Sequence, residues 1–431
     1  MWKLPLCVAC LLLSAFGCST GNGADASAGG FGGIGSSSGG GQYSVGGSGA
    51  GAAAGSGGHA GSAYGGGGAG SSAGGSSAGG ASGSGAIAGS AGQSGGVNAE
   101  TLVPDLGFGA NIGNTFDNTA QWEIGWGQPL VTQAFINGMA AHGIKSVRVP
   151  VAWDTYAVNG VIDATKMNRI KEVVSWIEAA GMYSIVNIHW DGGWIDNETN
   201  SQKYRLTDTV KSKFASYWKQ IGMAFSGVGH KLIFEGLNEE GRFYLNGDQN
   251  QGPDYPALNE LNQLFVTTVR ALGGYDATRA LLIAGFNTDL GLTCVDAFSI
   301  PTDPSGPGKL FLSIHYYSPS TFTILEDVAS WGSPATTWGT SAERATLDSD
   351  FSKLASCSSK KKIPIIIGEF GVTRGEKYVR DPASRILWMQ SVANAAHSRG
   401  MVPVLWDTGS EVHRSDGSFS SELQNVMAHF Q

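Results

Sequence analysis

Eight short apolar runs recur along the chain from residue 107 onward, with starts about 42 residues apart on average. Each run has five to seven residues and is mostly apolar throughout, as expected of strands that are covered on both faces. The runs are Gly107–Ile112, Ser146–Val151, Tyr183–His189, Leu232–Leu237, Leu281–Gly285, Leu310–His315, Ile363–Gly368 and Val402–Trp406.

Amphipathic stretches lie between these runs. In Asp163–Ala180, the side chains of Ile170, Val173 and Ile177 share one face of a helix, which Gly181 ends. Eight strand-then-helix units predict an α/β fold, a (β/α)8 TIM barrel. A doubly wound open sheet is the alternative, but the first run lacks the glycine-rich phosphate turn that such a sheet carries after its first strand.

Polar or aromatic side chains end all eight runs. The carboxyl ends of barrel strands meet at one face, and active sites lie there. One or two such residues would be ordinary, whereas eight strands that all end this way indicate an active site. These residues are Asn111, Asn114, Arg148, Asn187, His189, Trp190, Asn238, Glu239, Asn287, His315, Tyr317, Glu369, Trp406 and Asp407.

Two of these residues are glutamates on the fourth and seventh strands. The strand period of two puts Glu369 on one face with Ile367, and Glu239 on one face with Glu235. If both faces point to the barrel mouth, two carboxylates meet across a cleft, as glycoside hydrolysis requires. Two ion-paired surface glutamates are the competing interpretation, which the polar neighbours disfavour. Glu235 lies deeper and is interpreted as a buried partner of Arg148.

The chain resembles glycoside hydrolase family 5, whose (β/α)8 cellulases carry their acid and their nucleophile on strands four and seven. The resemblance covers residues from about 105 to 410. Any one motif is weak, but seven in order at barrel spacing are specific. The matching stretches are Asn111–Asp117, Val147–Trp153, Asn187–Trp190, Leu237–Glu239, Ile314–Pro319, Ile367–Gly371 and Leu405–Asp407.

The resemblance implies a retaining mechanism and a role for each matching residue. Glu239 would be the acid/base and Glu369 the nucleophile, with carboxyl groups about 5–5.5 Å apart. Arg148 would keep Glu369 charged by Coulomb attraction. The substrate-binding positions that the resemblance implies are Asn111, Arg148, His189, Trp190, Asn238, His315, Tyr317 and Trp406.

Some of these positions carry finer expectations from the resemblance. Asn238 would hydrogen-bond the sugar 2-hydroxyl, and Tyr317 would hydrogen-bond the nucleophile. His189 and His315 would line the reacting subsite, and Trp406 would stack on the sugar ring there.

Tryptophans are frequent in the predicted strand-to-helix loops, where indole faces can stack on sugar rings. Trp190 stands where relatives often have a second histidine, which leaves the local sugar contacts open. For the other loop tryptophans, ligand contact and packing are both open. They are Trp122, Trp126, Trp194, Trp331 and Trp338.

We therefore expect a retaining endo-β-1,4-glucanase that binds a β-glucan polysaccharide and needs no cofactor or metal. A lichenase, a xyloglucanase or a β-mannanase of the same family remains open, since loop shape selects among them. A non-catalytic surface carbohydrate-binding protein is the alternative from another class, and the presence of both carboxylates argues against it. The acidic residues Asp191, Asp196 and Glu198 are interpreted as a solvated loop rather than a calcium site.

Composition changes sharply at residue 98. Ser19–Asn98 holds 33 of the chain's 66 glycines in 80 residues. Gly, Ser and Ala bury too little to offset the entropy of ordering, so we expect a disordered Gly/Ser/Ala linker. No triplet repeat supports collagen, and no fixed apolar period supports a solenoid. The predicted organisation is a signal peptide over 1–18, this linker over 19–98 and a catalytic domain over 99–431.

The first 18 residues are typical of a secretory signal peptide: Lys3 precedes an apolar run that is too short to span a membrane. The stretch Ala15–Cys18 resembles a bacterial lipoprotein cleavage box, so lipidation of Cys18 and plain cleavage both remain open. We expect a protein that is secreted or tethered to the cell surface or outer membrane, with the membrane reached only through that lipid.

The formal net charge is −8, and no basic cluster stands out beyond residues 360–362. Phosphate binding needs clustered positive charge, so we expect no nucleic-acid partner. A monomer acting on a neutral substrate fits this balance. Cys294 and Cys357 are the two cysteines of the predicted barrel, and either one disulfide or two buried thiols is compatible with export.

Overall fold

The computed structural model describes residues 97–196 and 204–430, which contain a closed barrel of eight parallel strands. Each strand pairs with the next along the chain, and β8 closes the barrel against β1. The predicted (β/α)8 fold and all eight strand positions are confirmed. The strands are β1 (Gly109–Asn111), β2 (Ser146–Val149), β3 (Tyr183–Asn187), β4 (Leu232–Glu235), β5 (Leu281–Ala284), β6 (Leu310–Tyr316), β7 (Ile365–Phe370) and β8 (Val402–Leu405).

The predicted signal peptide, Cys18 and nearly all of the predicted linker lie outside the described residues. Glu198 lies outside them as well. Within the described part of the chain, no helix has the length and apolar character that crossing a membrane requires.

Helices alternate with the strands. They are α1 (Ala99–Leu106), α2 (Gln133–Ala141), α3 (Ala164–Ala179), α4 (Asp208–Ala224), α5 (Tyr255–Arg270), α6 (Leu290–Thr293), α7 (Ser320–Thr323), α8 (Ser341–Lys361), α9 (Pro382–His397) and α10 (Ser421–Ala428). Most long helices begin where a side-chain oxygen accepts the backbone N–H three residues on, which satisfies an otherwise unpaired donor. These caps are Thr132, Asp163, Thr207, Asp254, Thr340, Asp381 and Ser420. A short hairpin, Ala157–Val158 with Val161–Ile162, follows β2.

A small apolar core fills the barrel interior. Ile185, Ile233, Leu282, Phe311 and Ile366 come from five successive strands and are all fully buried in one cluster. Their neighbours along each strand belong to a larger cluster shared with the helices. The strands thus alternate between the two cores with the period of two that extended backbone imposes.

Helix α1 closes the amino-terminal end of the barrel. Ala99 and Leu106 are buried in the interior cluster. The Leu106 carbonyl accepts a hydrogen bond from Ser146 Oγ at 3.0 Å, at the start of β2. The Ala99 amide donates to the Gly308 carbonyl at 2.7 Å, just before β6. The interior is therefore covered at the end opposite the strand carboxyl termini.

A disulfide joins Cys294 to Cys357. Cys294 follows α6 directly and Cys357 lies within α8, so the bond ties the segment after β5 to the crossover between β6 and β7. Lys360 Nζ and Asp296 form an ion pair at 2.5 Å across the same junction. Of the two alternatives for these cysteines, the disulfide is the one observed.

Candidate active site

A cleft opens at the carboxyl ends of the strands, where the sequence predicts it. Both glutamates lie in its wall, and its walls come from the segments that follow β1, β3, β4, β5, β6, β7 and β8. Side chains that line it include Asn114, Asp117, Trp126, His189, Trp190, Asn238, Glu239, Tyr317, Glu369 and Trp406.

The Arg148 guanidinium lies beneath the cleft and is completely buried. Its Nε donates to Glu235 Oε2 at 2.6 Å. Its Nη1 donates to Glu369 Oε1 at 2.8 Å and to Asn111 Oδ1 at 3.0 Å, and its Nη2 donates to Asn238 Oδ1 at 2.7 Å. Burial acts to lower the pKa of this guanidinium, but the charges of Glu235 and Glu369 raise it overall. Arg148 therefore stays charged and fixes the orientation of each partner.

Glu369 reaches the cleft because strand β7 contains a bulge. The register against β6 shifts between Ile367 and Glu369. A Cβ at Gly368 would lie 2.9 Å from Ser313 Oγ and 3.1 Å from His315 Nε2, so this position also faces the barrel interior. The expectation that Glu369 shares a face with Ile367 is wrong: Ile367 packs in the outer core, and the extra residue turns Glu369 inward.

Glu239 lies opposite Glu369, with His315 between the two carboxyl groups. His315 Nδ1 is 2.5 Å from Glu239 Oε1 and 3.6 Å from Glu369 Oε2. One ligand-type atom from each of the three side chains lies within 4.8 Å of the other two. The two carboxyl groups are thus closer than the separation of about 6.5–9.5 Å that admits a water between them in inverting glycosidases.

The environment separates the protonation states of the two carboxyl groups. Burial raises the pKa of Glu239 to about 8, which Arg148 opposes only in part. Burial also raises the pKa of Glu369, but there the charge of Arg148 and its direct hydrogen bond oppose the rise. Because the two groups titrate as a pair, the arrangement favours a proton on Glu239 and a negative charge on Glu369 at neutral pH.

Besides Arg148, the groups that face the Glu369 carboxylate are neutral. Tyr317 Oη donates to Glu369 Oε2 at 3.0 Å, as expected, and burial followed by the charge of Glu369 raises the pKa of this phenol well above its usual value. Burial lowers the pKa of His315 to about 4 and lowers that of His189 well below its usual value. Both imidazoles are therefore uncharged at neutral pH.

Trp406 and His189 form one flat wall of the cleft. Their rings stack with centroids 5.7 Å apart and an interplanar angle of 11°. Both line the cavity, and Trp190 beside them is 39% exposed. A broad apolar face of this kind suits the faces of sugar rings.

Three residues expected to bind substrate lie below the cleft instead. Asn111 and Arg148 are completely buried, so they contact other side chains and reach a sugar only through them. His315 is 9% exposed and its ring faces the two glutamates. All three lie within a strand and none of them lines the cavity, whereas Asn238 and Trp406 lie past a strand end and line it.

Asp117 lines the cleft although the sequence assigns it no role. Its carboxylate accepts the backbone N–H groups of Thr115 at 2.7 Å and Asn114 at 3.2 Å. Burial raises its pKa to about 6 against these hydrogen bonds. The sequence signal that could have indicated this position is that Asp117 ends the matching stretch Asn111–Asp117.

The loop residues divide between the cleft and other contacts. Trp126 and Trp190 line the cavity, whereas Trp122 and Trp338 are buried elsewhere. The interpretation of Asp191 and Asp196 as part of a solvated loop is wrong, because both side chains are buried. The Asp191 carboxylate accepts hydrogen bonds from the backbone amides of Asp154 and Thr155 and from the Thr155 hydroxyl, so it joins two loops.

A family model described as cellulase (glycosyl hydrolase family 5) matches residues 108–412 of the chain. Endoglucanase A of Paenibacillus barcinonensis is 32% identical over 342 residues, which are 73% of this chain and 83% of that protein. A xyloglucan-specific endo-β-1,4-glucanase of Bacteroides ovatus is 31% identical over 323 residues, which are 70% of this chain and 63% of that protein.

Among solved structures, a GH5-4 broad specificity endoglucanase from an uncultured bovine rumen ciliate matches with a TM-score of 0.69 and 31% identity. The match covers 78% of this chain and 98% of that one. Fold and sequence thus agree on the same family.

The bulge at Gly368 allows a test of how Glu369 is oriented toward the cleft. We expect Gly368→Ala to lower kcat on soluble β-1,4-glucan by about tenfold or more, because the new methyl group displaces the bulge and with it Glu369. Gly227→Ala is the matched control, since a Cβ there meets nothing within 4 Å. A folded Gly368→Ala enzyme with the turnover of Gly227→Ala would contradict this account.

Proposed function

The chain belongs to glycoside hydrolase family 5, the cellulase family, and from that membership we propose how its site acts. The protein is a glycoside hydrolase that cleaves β-1,4-glucan. The observation that carries the mechanism is the close pair of unlike carboxyl groups: Glu239 with a raised pKa, and Glu369 held by Arg148 and Tyr317.

In the first step Glu239 acts as the acid and Glu369 as the nucleophile. Glu239 gives its proton to the glycosidic oxygen as the bond from that oxygen to the anomeric carbon breaks. Glu369 attacks the same carbon and forms an ester to the sugar. The 4.8 Å limit on the separation of their oxygens supports direct attack, and hence retention of configuration.

In the second step the roles of Glu239 reverse. Once Glu369 is esterified it no longer carries a charge, so the pKa of Glu239 falls and its carboxylate takes a proton from water. That water attacks the anomeric carbon, and the bond from the carbon to Glu369 breaks. The leaving sugar and the water therefore use the same face of the ring.

Asn238 and Trp406 hold the reacting sugar. The Asn238 Oδ1 atom accepts from Arg148, which leaves the amide nitrogen to donate to the sugar 2-hydroxyl at the cleft surface. Trp406 presents its ring face beside His189. Arg148 and Asn111 act from below by fixing these groups.

Substrate breadth is the point at which the relatives differ, since their names include both endoglucanases and a xyloglucanase. Trp126 and Trp190 extend the apolar lining beyond the two carboxyl groups, which supports a polymeric substrate. We infer cleavage within β-1,4-glucan chains, with lichenan, xyloglucan and mannan as the alternatives to compare.

A panel of polysaccharides tests this function. We expect the purified protein to release reducing ends from carboxymethylcellulose and barley glucan, with a rapid fall in viscosity that marks internal cleavage. Xyloglucan or mannan as the best substrate would reassign the specificity within the family. No release from any of the four would favour a binding protein.

The two carboxyl roles predict opposite stereochemical outcomes with azide. Glu369→Ala should lose activity on aryl β-cellobiosides by about 10⁴-fold or more, and azide should restore turnover with a glycosyl azide of inverted configuration. Glu239→Ala should yield a glycosyl azide of retained configuration. Glu100→Ala, which is exposed on α1, is the control and should behave as wild type. Hydrolysis undiminished in Glu369→Ala would overturn the assignment.

We also propose that the protein is exported and works outside the cytoplasm as a monomer. The Cys294–Cys357 disulfide supports an oxidising compartment. The signal-like first 18 residues support export, with Cys18 as the candidate lipid acceptor.

Labelling with a radioactive fatty acid tests the anchor. We expect label and membrane association in the wild type, and loss of both in Cys18→Ser. Equal release of unlabelled protein from the two strains would instead support plain cleavage of the signal.

A further inference from the structure

Glu235 is a buried carboxylate that shares the Arg148 guanidinium with Glu369. It ends β4 and is completely buried. Both of its oxygens accept hydrogen bonds: Oε2 from Arg148 Nε at 2.6 Å, and Oε1 from Ser313 Oγ at 2.9 Å. Two donors, one of them a guanidinium, therefore hold the carboxyl group in place.

The bond to Glu235 fixes the plane of the Arg148 guanidinium. Arginine is a rigid fork, so holding Nε decides where both terminal nitrogens point. Those nitrogens reach Glu369 and Asn238, which are the nucleophile and the sugar-binding amide of the proposed function. An arginine released at Nε would be free to turn away from one or both.

Glu235 also balances the charge of Arg148 throughout the reaction. Before the first step the negative charges are Glu235 and Glu369; after it they are Glu235 and Glu239, because one carboxylate has been esterified and the other has given up its proton. Glu235 alone keeps its charge in both states. Its charge acts on Arg148 on β2, on Glu239 and Glu240 after β4, and on His315 on β6. The charge of Arg148 in turn acts on His189 after β3, Tyr317 after β6 and Glu369 on β7.

We propose that Glu235 is a positioning residue that acts through Arg148: it orients the guanidinium toward Glu369 and Asn238 and supplies the constant negative charge that the site needs in both steps. This inference rests on the proposed function of Glu239 and Glu369. Glu235 itself lies below the cleft and touches no substrate.

The charge of Glu235 also affects the pKa of Glu239, which a purely structural contact would not do. Three contributions set the pKa of Glu239: burial, the largest, raises it, the charge of Arg148 lowers it, and the charge of Glu235 raises it. Removing that charge leaves Arg148 less compensated, so Glu239 should lose its proton at lower pH. The alkaline limb of kcat/KM reports this proton, because Glu239 must be protonated to act as the acid.

Two substitutions at position 235 separate charge from reach. Glu235→Gln keeps the shape but removes the charge: we expect kcat to fall by roughly 10–100-fold with little change in KM, and the alkaline limb to move down by about one pH unit. Glu235→Asp keeps the charge but shortens the side chain: we expect a similar loss of kcat with the alkaline limb near that of wild type.

Asp303→Asn is the matched control. Asp303 pairs with Arg270 at 2.9 Å, both side chains are 3% exposed, and the pair precedes β6 at the other end of the barrel. Asp303→Asn removes one negative charge from a buried arginine–carboxylate pair, as Glu235→Gln does. Stability should therefore fall, while the alkaline limb of kcat/KM stays at its wild-type pH.

Folding is checked by near-ultraviolet circular dichroism and thermal unfolding. If Glu235→Gln does not fold, Ser313→Ala removes only the second donor to Glu235, and kcat should fall severalfold with the fold retained. Wild-type kcat and pH limb in folded Glu235→Gln, or an unaffected Ser313→Ala where the first variant fails to fold, would overturn the proposal. Failure of the proposed function is distinguishable, since the wild type itself would then release no sugar or Glu369→Ala would remain active.

Discussion

The Arg148 guanidinium ties β2 to three other strands of the barrel through its hydrogen bonds. Its partners on β1, β4 and β7 or just beyond them are Asn111, Glu235, Asn238 and Glu369. A charge so deeply buried is strongly unfavourable unless it is paired, so each partner is constrained as firmly as the arginine itself. Glu369 and Asn238, the proposed nucleophile and sugar-binding amide, therefore take their positions from one rigid group below the cleft.

The direction in which each strand side chain points also determines which groups reach the site. Strands alternate inward and outward, and from this rule Glu235 is correctly interpreted as a buried partner of Arg148. The rule fails at Glu369, because a bulge adds one residue to β7 and breaks the alternation. The run Ile365–Gly368 carries one signal of a bulge, because a glycine inside a strand often marks one. The pairing with the neighbouring strand decides whether the register shifts there. The residue type was predictable there, and its direction was not.

Sequence patterns were informative where the local backbone decides the outcome and weaker where distant contacts do. Apolar runs located all eight strands, since a strand covered on both faces needs apolar side chains at nearly every position. The pairing of Cys294 with Cys357 depends on how two crossovers pack, which no short pattern encodes. Whether a loop tryptophan faces the cleft, as Trp126 does, or the core, as Trp122 does, depends in the same way on tertiary packing.

Helix α1 gives the barrel a polarity along its axis. It seals the end at which β2 and β6 begin, whereas the cleft opens where the strands finish. The chain thus enters the barrel at one pole and the sugar is cut at the other. A long polysaccharide can lie across the catalytic pole without meeting α1. Helix α1 is accordingly separated from the cleft by the full height of the barrel.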